Sequence, residues 1–310
     1  PPEAAPLIQT RPQQELAKTN SAALVKRGFS CYIPKCRIAY GTRLRPGRAS
    51  SSVVRNPATV QPAEAIMQPF LLALKLISVF PVGDVEEADA KDTASYFPLA
   101  GFAVGLVMAV GGLLLIALMP LPVAAVVGGI LIPVAYSALT RHHGLQGMAE
   151  TLEKWFPDSD SAEGADRVAF YRNILIIQTL ALVKFVFVGL VLYYRQPMWL
   201  ALVPALSHCA WSDLLQPDSQ NIDIPGNSGV RIRVHWVFAA VISLLAGALS
   251  GSLAAGILAP ILTWLSIQAS RTLLTERLGG IHPTGVYAVA EKMELLVLLV
   301  GILFFATATM

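Results

Sequence analysis

Long apolar runs separated by short polar connections dominate the chain. Crossing roughly 30 Å of hydrocarbon as a helix takes about 20 apolar residues, because every backbone polar group must be paired within the segment. Seven windows approach this pattern, two of them short: 97–119, 121–139, 174–194, 198–212, 235–250, 252–269 and 286–308. The pattern therefore predicts an all-α fold, a polytopic integral membrane bundle of about seven transmembrane helices.

One further apolar stretch, residues 66–80, differs from these windows. Pro69 and Lys75 interrupt it, and it is short for a full crossing. We expect it to form an interfacial or re-entrant helix.

The distribution of basic residues predicts how the bundle is oriented, since Lys and Arg accumulate in cytoplasmic loops. With seven crossings, eight Lys and Arg residues fall in the loops 140–173, 213–234 and 270–285, all on one side of the membrane. The opposite side holds Arg195 alone. We therefore expect these three polar loops to share one face of the membrane, the cytoplasmic face.

Composition excludes a water-soluble globular fold. The chain of 310 residues is 55% apolar and 14% charged, with a mean hydropathy of +0.59. Soluble domains are about 45–50% apolar and about 25% charged. The three cysteines, Cys31, Cys36 and Cys209, are scattered and too few for a disulfide framework or for the two ligand pairs of a structural zinc site.

Residues 1–64 have a different character from the rest of the chain. They carry ten basic and three acidic residues, whereas residues 65–310 carry 13 basic and 17 acidic residues. Rich in Pro, Ser, Ala and Arg and without a sustained apolar period, this segment is expected to be a disordered basic tail or leader preceding a membrane-embedded domain of residues 65–310. A transit peptide and an upstream extension or fragment are both open interpretations. No aromatic-interleaved basic module follows, which argues against nucleic acid as a partner.

The longest polar loop opens with RHHGLQGMAETLEKW, residues 141–155. If this segment is helical, Gln146, Glu150 and Glu153 share one face. Two carboxylates and a carboxamide are oxygen ligands of the kind that Mg²⁺ takes together with substrate phosphates. The alternative is the solvated acidic face of an amphipathic helix at the membrane surface.

Ionisable residues also occur inside the apolar windows. Glu291 and Glu294 lie in the last window with i, i+3 spacing and can point together. Such groups usually face the bundle interior or a wet cavity, although both could reach water from near the surface. Lys184, in the 174–194 window, is expected to extend its ammonium towards the membrane surface. The five histidines show no spacing typical of a transition-metal site.

Several motifs along the chain resemble one known family. In order, they are SYFPLAGFAVGLVMAV (95–110), HHGLQGMAETLEKW (142–155), RVAFYRN (167–173), SHCAW (207–211) and RLGGIHPTGVYAVAEKMELLVLLV (277–300). Their order and approximate spacing are similar to those of the cobalamin synthase family, the adenosylcobinamide-GDP ribazoletransferases. The resemblance covers roughly residues 66–305 and excludes the basic tail.

The resemblance implies a membrane transferase that performs the last step of the cobalamin nucleotide loop. Such enzymes join α-ribazole, or its 5′-phosphate, to adenosylcobinamide-GDP and release GMP, with Mg²⁺. It implies a bacterial inner membrane with the polar loops in the cytoplasm, or an organelle membrane if the tail is a transit peptide. The lipid bilayer and other membrane corrinoid enzymes are further expected partners.

The resemblance also implies roles for individual residues. Glu150 and Glu153 would hold Mg²⁺ against the diphosphate, helped by Gln146. The implied catalytic positions are Glu150, Glu153, Arg172 and His208. The implied substrate-binding positions are Gln146, Asn173, Glu291 and Glu294.

The polar motifs depart from the family pattern. Where the family has three aspartates in D-G-L-A-D-x-x-D, this chain reads Q-G-M-A-E-T-L-E; Asn173 replaces an acidic residue, and His208 replaces the arginine of a Ser-Arg pair. Fewer anionic ligands weaken binding of a divalent cation. Two alternatives therefore stay open: an inactive family member acting as a membrane scaffold, and a small-molecule transporter, because charged groups inside spans also mark substrate pathways.

Overall fold

The computed structural model describes residues 62–82, 93–141, 143–155, 165–214 and 234–308. The helices are α1 (Pro62–Ile77), α2 (Phe97–Leu118), α3 (Leu121–Leu139), α4 (His143–Trp155), α5 (Ala165–Tyr193), α6 (Trp199–Ser207), α7 (Cys209–Leu214), α8 (Val234–Leu249), α9 (Leu253–Leu278) and α10 (Pro283–Ala308). These ranges contain helices and connections and no β-strand, which confirms the all-α prediction. Residues 1–61 of the predicted basic tail lie outside the described residues. The boundary of the tail at residue 64 stays a prediction.

Four helices in the described part of the chain are long and apolar enough to cross a membrane. They are Phe97–Leu118, Leu121–Leu139, Tyr171–Tyr193 within α5, and Leu253–Leu278. Each exposes large aliphatic side chains, such as Leu114 on α2 and Val126 on α3. An apolar outer surface of this extent is costly in water and suits a lipid environment. The chain is therefore an integral membrane protein.

The remaining predicted crossings differ in length and position. The 198–212 window forms two short helices, α6 and α7, that meet at His208. The nine residues of α6 span about 14 Å, well short of a bilayer, and all nine are buried. This apolar run is therefore a core element of the bundle instead of a lipid-facing crossing. Residues 66–80 form only a short apolar helix, Met67–Ile77. The number of crossings and the side on which each loop lies stay predictions.

Small residues allow the helices to approach closely, as is typical inside membranes. A Cβ atom added at Gly105 of α2 would lie 2.5 Å from the carbonyl oxygen of Ala201 in α6. A Cβ added at Gly129 of α3 would lie 3.2 Å from the Cα of Gly189 in α5. The backbones of α2 and α6, and of α3 and α5, are therefore in direct contact at these points.

Helix α10 packs against α4, α5, α6 and α9. The indole of Trp199 in α6 donates a hydrogen bond to the carbonyl oxygen of Val297 in α10 (3.0 Å) and packs edge-on against Phe305. These contacts fix α10 within the bundle, so that ionisable residues in its first half face neighbouring helices.

Candidate functional site

Four polar side chains from three helices meet in the interior of the bundle. The Lys184 ammonium from α5 lies 2.6 Å from Oε1 of Glu291 and also contacts Oε2 of Glu294, both on α10. The hydroxyl of Tyr136 in α3 donates to Oε1 of Glu294 at 2.5 Å. We call Tyr136, Lys184, Glu291 and Glu294 the carboxylate cluster. It joins α3 and α5 to α10.

The cluster corrects the expectation for Lys184. Its side chain does not extend to the membrane surface: Lys184 and Glu291 are each 7% exposed, and Glu294 is 3% exposed. A buried charge is tolerated when it is paired, and here two carboxylates across the bundle pair with one ammonium. The Tyr136 ring lies 5.1 Å from the ammonium and adds a cation–π contact. Both glutamates thus face the interior.

A small cavity adjoins the carboxylate cluster. It is lined by three cluster members, Tyr136, Glu291 and Glu294, and by His208, Trp211 and Tyr287. Its volume is about 30 Å³, and a water needs roughly 10–15 Å³ by the same measure. The cavity therefore has room for about two or three waters, and a substrate can enter only if its walls move apart.

The walls of this cavity come from segments that flank the three predicted polar loops. Gly144 at the start of α4, Trp211 in α7 and Tyr287 near the start of α10 all line it. The rings of Trp211 and Tyr287 pack edge-on with centroids 4.5 Å apart, and the His208 ring stacks on Trp211 at 6.1 Å. Segments distant in the chain therefore meet at one polar cavity.

The geometry around His208 defines which ring nitrogen is available. Nδ1 lies 2.7 Å from the carbonyl oxygen of Pro204, and a carbonyl can only accept, so Nδ1 carries the proton. The Ser207 hydroxyl lies between the Nδ1 atom (3.3 Å) and the Glu294 carboxylate (3.4 Å). In a neutral ring, Nε2 is then an unprotonated acceptor beside the cavity.

The segment that carries the candidate Mg²⁺ ligands is helical from His143 to Trp155 as α4, and it places these ligands on its outer side. The amide of Gln146 donates to Oε1 of Glu150 at 3.0 Å, and Gln146 and Glu153 are exposed. The opposite side of α4, with Gly147 and Thr151, is buried, and Gly147 packs on α10. Gln146, Glu150 and Glu153 are therefore near one another but do not line the cavity beside the carboxylate cluster.

Arg172 and Asn173 lie near the start of α5. Asn173 is buried, and its side-chain oxygen has no hydrogen-bond partner among the described residues. Asn173 and Lys184 are eleven residues apart, so they share a face of α5 about 16 Å apart along the helix. The structure thus brings Glu291, Glu294 and His208 together, and it places Arg172 and Asn173 away from that cavity.

The donor atoms present allow Mg²⁺ at α4 and not at the carboxylate cluster. Three of the four carboxylate oxygens of the cluster already contact an ammonium or a phenol hydroxyl. Within the described ranges, no group of three or more His, Cys, Asp or Glu side chains is arranged to hold a metal. Glu150 and Glu153, with the amide oxygen of Gln146, supply two carboxylates and a carbonyl, which suits Mg²⁺ when water or phosphate oxygens complete its shell.

Two cluster members, Tyr136 and Lys184, were not among the sequence-predicted site residues. The sequence did indicate Lys184, because an ionisable residue in mid-span is a functional candidate by default. It did not indicate Tyr136, because this residue lies in an apolar run and its partner Glu294 is 158 residues away.

Fold and site together define a polytopic helical membrane protein with ion-paired carboxylates beside an internal polar cavity. A family model described as cobalamin-5-phosphate synthase matches residues 69–302, which is 234 of the 310 residues. The chain therefore belongs to the cobalamin-5-phosphate synthase family and to cobalamin synthesis, and the resemblance noted in its motifs is confirmed. Comparisons with curated proteins and with solved structures give no match.

Proposed function

We propose that this chain joins α-ribazole, or its 5′-phosphate, to adenosylcobinamide-GDP and releases GMP. Membership of the family over residues 69–302 supports a late step of cobalamin synthesis. The observation that carries the proposal is the carboxylate cluster beside the cavity where α4, α7 and α10 meet. A buried ion pair adds little net stability compared with apolar side chains, so its place at this cavity favours a role in binding.

In the proposed reaction, a hydroxyl of α-ribazole attacks the phosphorus linked to cobinamide. A new P–O bond forms while the bond to the GMP phosphate breaks, and GMP leaves with the electron pair. The proton of the attacking hydroxyl passes to Nε2 of His208, the available acceptor beside the cavity. The resulting imidazolium would face the phosphate oxygens.

Catalysis of phosphoryl transfer consists mostly of positioning and of neutralising charge. Glu150 and Glu153, with Gln146, would hold Mg²⁺, which neutralises charge on the diphosphate and on departing GMP when bound. Because Arg172 and Asn173 lie away from the cavity, they would contact a part of the substrate remote from the reacting phosphorus: Arg172 through its positive charge, and the unpaired amide oxygen of Asn173 by accepting a hydrogen bond.

This mechanism requires α4 to move, because Glu150 lies on the side of the helix that points away from the cavity. A helix with its side chains is about 10–12 Å across, and the Glu150 face points away from the cavity. For the diphosphate to contact both Glu150 and His208, α4 must rotate or shift when substrate binds. The small size of the cavity also requires such a movement.

The test is direct assay of the full chain in lipid nanodiscs with adenosylcobinamide-GDP, α-ribazole and MgCl₂. We expect adenosylcobalamin and GMP in equal amounts, separated by chromatography. The double variant Glu150→Ala/Glu153→Ala should lose at least 100-fold in rate, because it removes both carboxylates. The matched control is Glu276→Ala, since Glu276 is an exposed acid on α9. No product from the unaltered chain, or an unchanged rate in the double variant, would refute the proposal.

A second candidate function is an inactive family member that acts as a membrane scaffold. The neutral residues Gln146 and Asn173, at positions where the family is acidic, favour it. This candidate predicts that adenosylcobinamide-GDP raises the thermal unfolding temperature of the protein without any turnover in the same nanodiscs.

A further inference from the structure

A second cavity, larger than the first, lies on another flank of α10. Its volume is about 210 Å³, and its walls come from α4, α5, α9 and α10. Thr151, Leu274 and Val289 form part of a buried floor, whereas Trp155 and Lys292 are exposed at its mouth. Among the described residues, none that lines this cavity also lines the cavity beside the carboxylate cluster. The two cavities are therefore separate sites that share α10 as a wall.

The size of this cavity limits what can occupy it. Close-packed protein interiors contain few voids larger than a water molecule, so 210 Å³ exceeds an ordinary packing defect. An apolar cavity of about 150 Å³ holds benzene, with six carbon atoms. By proportion, this cavity accommodates about eight or nine non-hydrogen atoms. A single compact group fits, whereas a drug-sized pocket is roughly 300–1,000 Å³.

Polar groups in the cavity indicate the chemistry of its occupant. Lys292 is the one charged side chain among the described residues that line it. Its ammonium donates to the Ser270 hydroxyl at 3.2 Å, and that hydroxyl donates to the carbonyl oxygen of Ser266 at 2.7 Å. Since an ammonium has three donors, this contact positions Lys292 and leaves further donors for an acceptor at the mouth.

A further polar group, besides Lys292 and Ser270, is the hydroxyl of Thr151 in the floor. Thr151 is 2% exposed, and its Oγ1 has no hydrogen-bond partner within the described ranges. A buried hydroxyl without a partner is unfavourable, and an occupant with a hydrogen-bonding atom removes that penalty. The mouth therefore favours an anionic atom, and the floor has one unpartnered hydroxyl that can make a further hydrogen bond.

We propose that this cavity binds a compact apolar molecule carrying one anionic group, with the anion facing Lys292 and the apolar part between α4, α9 and α10. The apolar walls match the body of such a ligand, and the ammonium matches its charge. A lipid acyl chain fits the apolar walls alone and leaves the Lys292 ammonium without an anionic partner. The proposal is independent of ribazole transfer, because neither the carboxylate cluster nor the α4 carboxylates line this cavity.

The test uses 4-fluorobenzoate, whose ring and fluorine are seven apolar non-hydrogen atoms. The full chain is embedded in phosphatidylcholine nanodiscs, and broadening of the fluorine NMR line is followed over millimolar probe concentrations. We expect saturable broadening that empty nanodiscs do not produce. Ala288→Leu adds three carbon atoms at the cavity wall, which leaves room for about five or six atoms, fewer than the seven of the ring and fluorine, and it should abolish the broadening. Ala135→Leu, on the exposed side of α3, should not.

The proposed contact between the Lys292 ammonium and the anionic group is tested with a second variant and an uncharged probe. Lys292→Met should weaken binding of 4-fluorobenzoate at least tenfold, and the uncharged 4-fluorotoluene should bind equally to both proteins. Thr151→Val preserves shape and removes only the floor hydroxyl, which faces the apolar end of the probe, so binding should be unchanged or tighter. Lys292→Met, at the exposed mouth, carries the test if Ala288→Leu fails to fold.

Three results would overturn the proposal. The first is line broadening by the unaltered protein that is no greater than in empty nanodiscs. The second is broadening by folded Ala288→Leu that equals that of the unaltered protein. The third is an affinity for 4-fluorobenzoate that Lys292→Met leaves unchanged. The last result would mean a purely apolar cavity of the kind that an acyl chain fills. Activity in ribazole transfer bears on none of these outcomes, so the two proposals fail separately.

Discussion

The ammonium of Lys184 lies inside an apolar bundle because two carboxylates from α10 face it. Its contacts with Glu291 and Glu294 cross the bundle, and Tyr136 donates to the same Glu294 carboxylate. Each charge thus depends on the others, since an unpaired ion in this environment is strongly unfavourable.

We expect Lys184→Met to destabilise the protein by about 3–5 kcal/mol, because it leaves two buried carboxylates without a counter-charge. Thermal unfolding in nanodiscs measures the effect, with Lys75→Met, an exposed lysine of α1, as control. Adding Glu291→Gln and Glu294→Gln to Lys184→Met should restore much of the loss. Equal unfolding temperatures for Lys184→Met and Lys75→Met would contradict the buried ion pair.

His208 offers a test of whether proton acceptance or positive charge matters at the cavity. Proton acceptance by a positioned base contributes about 10²–10⁴-fold in rate, so His208→Asn should lose that factor. His208→Arg restores the basic residue that the family carries, but a guanidinium cannot accept a proton. We expect the arginine variant to be nearly as slow as the asparagine variant in the ribazole-transfer assay. An arginine variant as fast as the unaltered chain would mean that charge alone acts at this position.

At the scale of elements, the contact between α4 and α10 depends on a glycine. A Cβ atom at Gly147 would lie 2.8 Å from the carbonyl oxygen of Thr284 and would also collide with Tyr287. Because that oxygen belongs to the backbone, the two helices would have to separate. Tyr287 and Gly144 both line the cavity beside the carboxylate cluster, so the spacing of α4 and α10 sets its shape.

Gly147→Ala should therefore lower both the unfolding temperature and the rate of ribazole transfer. Gly111→Ala is the matched control, because a Cβ atom there meets nothing within 4 Å. Alanine is preferred to glycine within a helix by about 1 kcal/mol, so the control should be neutral or slightly more stable. The packing argument fails if both variants behave alike.

At the scale of the whole molecule, the mechanism requires the polar loops to share one side of the membrane. We expect single cysteines at Glu153 and Arg277 to react with an impermeant maleimide from the same side, and a cysteine at Arg195 from the other. Helix α5, with 29 residues, is about 43 Å long, which is enough to separate its two ends across a bilayer.

The experiment uses sealed, oriented vesicles and a chain whose native cysteines, Cys31, Cys36 and Cys209, are replaced by serine or alanine. Labelling of positions 153 and 277 from opposite sides would exclude the proposed site. It would not affect the cavity that contains Lys292, because that cavity is defined by contacts within the bundle.

Much of the architecture could be read from local sequence. The apolar windows predicted α2, α3, α5 and α9 as long helices, because the need to pair every backbone group in hydrocarbon acts within a single segment. The helical period likewise predicted that Gln146 and Glu150 lie together, and their hydrogen bond confirms it. For the 198–212 window, apolar composition alone did not distinguish a core element from a lipid-facing crossing.

By itself, then, the sequence determined the all-α membrane class, the family and the acidic side of α4, because each depends on residues that are neighbours in the chain or on motif order. Tertiary structure alone decided that Lys184 is buried, that Tyr136 belongs to the carboxylate cluster, and that the outer side of α4 points away from it. The partners in that cluster are 107 and 158 residues apart. Which side chains pair across a bundle depends on how the helices rotate and cross, and small residues at the crossings set that geometry.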